Sequence, residues 1–310
     1  MNMRIVFMGT PEFAIPSLKI LLDNAYTIVG VVTAPDKPSG RGRQVVPSPV
    51  KVFAEQRHLT IFQPEKLTTP EFIQQLTSLQ PDLIVVVAFR ILPPAVYTIA
   101  KQGAFNLHGS LLPKYRGAAP INWAIINGER ETGVTSFFLQ EKVDTGNILL
   151  QARIPIGGED TAGIIHDKLA EVGAEIVLHT VRLIEQGKTA PKPQDNTMAT
   201  PAPKIFKENC RINWNAGSSD IHNFIRGLSP RPCAFTLHAD TIIKIYRSKI
   251  VNDMKSKTPG EILRADGDII VSGAEGAVQI LELQQEGKKM LPAQEFLRGY
   301  RLSAGEMFTS

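Results

Sequence analysis

Up to residue 186 the chain alternates short apolar runs with longer amphipathic ones, and this alternation constrains the fold more than any other feature. A strand that must be covered on both faces is short and apolar, whereas the helix that covers it carries one apolar stripe; repeating the pair builds a mostly parallel sheet. The runs at 3–9 (MRIVFMG), 27–33 (TIVGVVT), 83–89 (LIVVVAF) and 103–109 (GAFNLHG) predict strands, with 61–63 a short extended piece. Stretches at 12–23, near 50–57, 70–79, 119–127 and 161–186 predict helices. Residues 133–140 (GVTSFFLQ) and 148–156 (ILLQARIPI) predict an antiparallel pair.

The periodicity stops after Gly187, where Pro191, Pro193, Pro201 and Pro203 predict an extended linker. A chain of 310 residues exceeds the common domain size of about 100–200 residues. We therefore expect one domain over 1–187, a linker over 188–203 and a second domain over 204–310. Beyond the linker, KIYRSKIV, GDIIVSG and GAVQILELQ are short strand-like runs between turns, with a helix at 218–228, and a small β-barrel is the expectation.

Composition excludes several classes. A content of 43% hydrophobic and 21% charged residues is that of a globular protein. No apolar run approaches the ~18 residues of a membrane span, and the apolar start is too short for a secretory signal, so a cytoplasmic protein is expected. Two cysteines, Cys210 and Cys233, are too few for a disulfide framework or a four-ligand zinc site. The net charge of +4 favours an anionic partner. Most telling is the stretch from Lys204 to Lys257, where ten bases face four acids.

The segment 103–146 departs most from what packing requires. On a strand over 103–109, Asn106 and His108 project to one side and Phe105 and Leu107 to the other. Asp144 falls in a later loop, before Gly146. Chemistry in open sheets collects beyond the carboxyl ends of the strands, where His108 and Asp144 are both expected. An amide, an imidazole and a carboxylate suit acyl transfer through a tetrahedral oxyanion, and without an evident activated Ser or Cys direct transfer is favoured over a covalent acyl-enzyme. Taken singly, each residue is more often a hydrogen-bonded structural group or a turn former. Trp123, Phe137, Phe138 and Trp214 read as packing residues, and His166 and His179 are not ligand-spaced.

Asn106-x-His108, the loop SLLPKYRG at 110–117 and the Asp144-Thr145-Gly146 turn together resemble the formyltransferase family that uses 10-formyltetrahydrofolate. The resemblance extends from VFMGTPEFA at 6–14 to QEGKKMLPAQEFLRG at 285–299. It implies a Rossmann-like catalytic domain followed by a small open β-barrel of OB-like kind, with Asn106, His108 and Asp144 catalytic. It places Ser110, Leu111, Leu112 and Pro113 in the folate-binding loop, and its chemistry requires no metal. One segment departs from the family pattern: VVVAFRILPP has Phe89 and Arg90 where relatives carry Ala-Tyr-Gly and one residue more.

Acceptors differ within the family. The loop TAPDKPSGRGRQVVPSPVK at 33–51 resembles the insertion found in members whose acceptor is initiator methionyl-tRNA, which implies tRNA contacts by Lys37, Arg41 and Arg43. Its prolines and glycines predict a loop without regular structure, and its charge alone also fits a solvated surface loop. The segment CRINWNAGSSDIHNFIRGLSPRPCAF resembles the family's second domain, which helps hold tRNA. An aminosugar nucleotide acceptor and formyltetrahydrofolate hydrolysis are the alternatives within the family. A dinucleotide-dependent oxidoreductase is disfavoured because MGTPEFA has one glycine where G-x-G-x-x-G needs three. A noncatalytic RNA-binding protein leaves the polar trio unexplained. A monomer is the default expectation.

Overall fold

The structure is a computed structural model that describes residues 3–39, 44–251, 253–254 and 258–310. The chain divides into two compact units, the first made of Met1–Gly117, Gly133–Ile154 and His166–Pro201, the second of Ala118–Thr132, Pro155–Ile165 and Ala202–Ser310.

In chain order the first half contains β1 (Arg4–Gly9), α1 (Ile15–Asp23), β2 (Thr27–Val32), β3 (Lys37–Ser39), β4 (Gln44–Val46), α2 (Pro49–Gln56), β5 (Ile61–Phe62), α3 (Pro70–Ser78), β6 (Leu83–Val87), α4 (Pro94–Tyr97), β7 (Ala104–His108), β8 (Arg116–Gly117), α5 (Pro120–Ile126), β9 (Glu131–Phe138), β10 (Ile148–Pro155) and α6 (Ala162–Glu185). The sheet order β10-β9-β7-β6-β1-β2-β5 is parallel from β7 through β5, and β9 joins β7 antiparallel. This is the Rossmann-like arrangement expected from the alternating pattern. Local chemistry starts the helices: Ser48 caps α2 by accepting from the Lys51 N–H at 3.1 Å, Thr69 caps α3, and Pro49 and Pro70 follow at the first helical position.

Both faces of this sheet are covered. On one, Val6, Met8, Val32, Ile84, Val86 and Ala104 join Phe72 and Leu76 of α3 in a buried cluster. On the other, α6 lies so close to β7 that a Cβ on Gly173 would stand 2.7 Å from Leu107 Cδ2. Burying Leu107 there contributes about 1.5–3 kcal/mol.

Two expectations need correction. Strand β6 ends at Val87, two residues early, because Ala88 turns into the left-handed region at φ +48°. The described part of 33–51 is not irregular either, since β3 and β4 pair antiparallel, with Lys37 opposite Val46. A two-stranded ribbon tolerates Pro38 because an edge strand leaves half of its N–H groups unpaired. The base of this ribbon is fixed by Asp36, which accepts from Lys51 Nζ at 2.5 Å and Gln63 Nε2 at 2.7 Å. Those hydrogen bonds hold the Asp36 carboxyl below its usual range.

The second half runs β11 (Pro201–Ala202), α7 (Ser218–Leu228), β12 (Ala234–His238), β13 (Thr241–Val251), β14 (Ile262–Ala265), β15 (Ile269–Ser272), β16 (Ala277–Gln285), β17 (Leu291–Pro292), α8 (Ala293–Gly299) and β18 (Phe308–Thr309). The order β14-β15-β16-β13-β12-β18, with β17 on β16, forms a curled antiparallel half-barrel consistent with an OB-like domain. It closes over Trp214, Ile225, Ile243, Ile245, Ile280 and Phe308. Trp214 is a packing residue as expected, 1% exposed, with its indole N–H donating to Thr236 Oγ1 at 2.9 Å. Helix α5 belongs to this unit: Asn122 Nδ2 donates to Gly227 O at 2.7 Å, and a Cβ on Gly227 would meet Ile126 Cγ1 at 2.7 Å. Trp123 is half-buried, donating to Pro203 O at 2.8 Å.

Candidate active site

Strand β7 carries two rows of side chains with different fates. Phe105 and Leu107 are buried in the apolar layer. The opposite row leaves that layer as it advances, from Ala104 in the apolar cluster, through half-buried Asn106, to His108 at the carboxyl end of the strand. The period-two alternation of a strand delivers both polar groups to one face, as the sequence predicts.

His108 is 6% exposed, and its two nitrogens meet different partners. Nε2 lies 2.8 Å from the carbonyl oxygen of Tyr115. A carbonyl only accepts, so Nε2 carries a hydrogen. Nδ1 lies 3.8 Å from Asp144 Oδ2. That separation is too long for a hydrogen bond and short enough for a strong charge interaction when the ring is doubly protonated. The carboxylate also accepts the Gly117 N–H at 2.9 Å. Among the described residues the Asn106 carboxamide makes no hydrogen bond, so its donor and acceptor remain available.

The turn that carries Asp144 is shaped against local preference. Asp144 adopts φ +54°, at a cost on the order of 1 kcal/mol, although Asp tolerates this region better than most residues. Gly146 must be glycine, because a Cβ there would stand 1.6 Å from the Phe138 carbonyl oxygen. Gln194 Nε2 donates to Asp144 O at 2.9 Å and Gly146 O at 2.8 Å. Gln194 Oε1 accepts from Arg116 Nη2 at 2.7 Å. The proline-rich segment after 187 is thus packed along the first unit, where Lys192 also bridges Ile148.

Residues 110–113 form a tightly braced loop. Ser110 is fully buried, its hydroxyl donating to Lys114 O at 2.7 Å and its carbonyl accepting from Thr135 Oγ1 at 2.7 Å. Leu112 is buried too, its N–H donating to Thr135 Oγ1 and its carbonyl accepting from Gln151 Nε2. Leu111 and Pro113 are half-buried. Ser110 and Leu112 therefore shape the loop, and Leu111 and Pro113 are the side chains with surface to offer a ligand. Thr135 and Gln151 carried no signal in the sequence, since each is an ordinary strand residue until the loop folds onto it.

In the departing segment 88–90, Arg90 donates to Pro64 O at 2.7 Å and Glu65 O at 2.8 Å, and its guanidinium lies 5.2 Å from the Phe89 ring centroid. This staples the shortened loop to the segment after β5. Partial burial lowers the guanidinium's pKa without neutralising it. Of the three basic residues singled out at 33–51, Lys37 is exposed on β3, while Arg41 and Arg43 lie outside the described residues. One base of the second unit is withdrawn from its surface: Arg226 is 7% exposed and donates to the carbonyls of Gly157 and Asp160. Both cysteines are free and buried; burial raises the Cys210 thiol and pushes Cys233 up to about 12, so neither is a ready nucleophile.

A mostly parallel sheet with an amide, an imidazole and a carboxylate at one strand's carboxyl end, followed in the chain by a curled antiparallel sheet, is an α/β protein whose polar groups stand where such sheets collect their ligands. The formyl transferase profile matches residues 3–181 and the formyl transferase C-terminal domain profile matches 204–301. The chain belongs to the formyl transferase family. It is 46% identical over 312 residues to the methionyl-tRNA formyltransferase of Bacteroides fragilis, covering 97% of this chain and 96% of that one. Identity to the methionyl-tRNA formyltransferase of Chlorobium phaeovibrioides is 48% over 314 residues, covering 99% and 98%. A likeness of fold extends to WlaRD, a sugar 3N-formyl transferase solved with dTDP and 5-N-formyl-THF, with a TM-score of 0.68 at 24% identity over 93% of this chain and 100% of that one. Among the described residues, no helix is long and apolar enough to cross a membrane.

Proposed function

We propose that the chain transfers the formyl group of 10-formyltetrahydrofolate to the free amino group of methionyl-initiator-tRNA, giving N-formylmethionyl-tRNA for translation initiation. The observation that carries this reading is the 46–48% identity, across nearly the whole of both chains, to proteins bearing that activity in their names. A sugar acceptor has no comparable support, because the likeness to WlaRD is one of fold alone.

In the proposed mechanism the methionyl amine attacks the formyl carbon held on N10 of the folate. A tetrahedral oxyanion forms, the carbon–N10 bond breaks, the amine nitrogen loses one proton and N10 gains one. Asn106, with donor and acceptor both open, orients the formyl oxygen and the amine. His108 stabilises the oxyanion and passes a proton to N10 through Nδ1, the ring nitrogen without a hydrogen bond among the described residues, then takes up the proton the amine loses, with Asp144 holding the charged ring. Fixing both reactants supplies a further part of the rate, up to roughly 7–11 kcal/mol in favourable models. Ser110, Leu111, Leu112 and Pro113 form the folate loop, and the chemistry requires no metal.

The division of labour follows the chain: residues 1–187 for folate and catalysis, 188–203 as connector, 204–310 for tRNA. Lys37, Arg41 and Arg43 contact tRNA phosphates. The enzyme is cytoplasmic and acts as a monomer. The test is transfer of labelled formyl from 10-formyltetrahydrofolate with methionyl-tRNA, the same tRNA uncharged and an aminosugar nucleotide offered in parallel. Label on methionyl-tRNA alone is expected. Label on the aminosugar, or formate released with every acceptor, overturns the assignment.

A further inference from the structure

The turn at 144–146 has no helix or strand of its own to hold it. Its two ends are closed by one side chain, Gln194, whose amide nitrogen donates to Asp144 O at 2.9 Å and Gly146 O at 2.8 Å. The orientation of this amide is fixed chemically. Two carbonyls can only accept, and the guanidinium of Arg116, which meets Gln194 Oε1 through Nη2 at 2.7 Å and Nε at 3.2 Å, can only donate. Arg116 Nη2 also donates to Asn196 Oδ1 at 2.8 Å, while the next residue, Gly117, donates its N–H to Asp144 Oδ2 at 2.9 Å. Asp144 is therefore gripped twice, by its carbonyl and by its carboxylate, and Arg116 joins the two grips.

The same strap reaches His108. Thr200 Oγ1 accepts from the Tyr115 N–H at 2.9 Å, and Thr200 O accepts from the Arg116 N–H at 2.9 Å. Tyr115 O is the partner of His108 Nε2. Segment 194–200 thus holds the backbone on both sides of the His108–Asp144 pair. Since Asp144 stands at φ +54°, releasing the turn lets it relax, and the carboxylate moves relative to the imidazole.

We propose that Gln194 is a positioning residue for Asp144, setting the carboxylate against His108 through the two carbonyls of the turn; this rests on the reading of Asp144 as part of the reacting site. Gln194→Glu tests it most sharply. That change keeps side-chain length and the acceptor for Arg116, so the strap itself survives, but it replaces both donors to the turn with an oxygen that repels the carbonyls. Gln194→Ala is the second variant, with Asp144→Asn and the double variant Gln194→Ala/Asp144→Asn completing a cycle.

For each variant, kcat, KM for 10-formyltetrahydrofolate, the pH profile of kcat and thermal unfolding are measured. Both Gln194 variants are expected to lose about 10- to 100-fold in kcat, as misplacement of a reacting group by a fraction of an ångström does. KM should stay within about threefold, since ground-state binding is untouched. The acidic limb of the pH profile should shift in Gln194→Glu, and the double variant should fall little below Asp144→Asn alone, because the two changes act through one group. A kcat within about threefold of wild type with an unchanged pH profile overturns the proposal. So do losses that multiply in the double variant, which mark Gln194 as a structural brace independent of Asp144. Wild-type turnover by Asp144→Asn would overturn the underlying site reading, and the proposal with it.

Discussion

Two histidines of this protein are almost equally buried, His108 at 6% and His222 at 5% exposure, yet they are wired differently. His222, on α7 of the second unit, has both ring nitrogens occupied, Nδ1 by Ser248 Oγ at 3.0 Å and Nε2 by Gly158 O at 3.0 Å. His108 has one nitrogen occupied by Tyr115 O and the other facing a carboxylate across 3.8 Å. A ring with both nitrogens hydrogen-bonded is a brace, with neither nitrogen left for a further partner. A ring hydrogen-bonded through one nitrogen keeps the other for a reacting group, and among the described residues His108 Nδ1 has only the Asp144 carboxylate, beyond hydrogen-bond distance, beside it. Burial alone therefore does not distinguish a reacting histidine from a structural one; the second nitrogen does.

The largest effect expected from this contrast is at His108. His108→Ala should lower kcat about 10²- to 10⁴-fold, the usual worth of a general acid, and lower the unfolding temperature less than His222→Ala does, since one hydrogen bond is lost rather than two. Steady-state kinetics beside a thermal melt check both halves, and near wild-type turnover would erase the distinction between the two rings. Next comes the partner's turn. Gly146→Ala places a Cβ 1.6 Å from the Phe138 carbonyl, so the Asp144 turn must shift, with an expected loss of about 100-fold in kcat and an unchanged far-ultraviolet spectrum.

His222→Ala should do the reverse. It leaves the Ser248 hydroxyl and the Gly158 carbonyl without their partner, destabilising by about 1–3 kcal/mol in denaturant unfolding, while turnover stays within about twofold. The smallest effect belongs to His222→Gln, whose amide can recover one of the two bonds and so about half of that stability. Equal loss of turnover in His108 and His222 variants would mean that the brace, too, governs the site.

The fold was largely legible from the pattern of apolar residues. Strands β1, β2, β6 and β7 fall where the apolar runs lie, because a strand covered on both faces admits almost nothing else. Helix α7 and strands β13, β15 and β16 were equally visible. Strands β12 and β14 and helix α8 were not, being short and bordered by residues that suit turns as well. At the site, Asn106 and His108 could be placed on one face from spacing alone, since alternation is a local property of an extended backbone. Lys51 shows the opposite case. It ends the loop at 33–51 as one more positive charge, but the fold pairs it with Asp36, fifteen residues away. Arg226 reads as part of a basic surface and is instead buried against two carbonyls.

By itself, then, the sequence determined the layered first unit, the strand-rich second one, the family and the polar row on β7. All of these rest on periodicity or on contiguous motifs, which survive without knowledge of how the chain returns on itself. Only the tertiary structure decided which nitrogen of His108 is occupied, that Ser110 turns inward, and that Gln194, fifty residues after Asp144 in the chain, closes the turn at 144–146. Such contacts depend on the paths of loops, and a glutamine among prolines reads as solvated spacer until the fold brings two orphan carbonyls within reach of its amide.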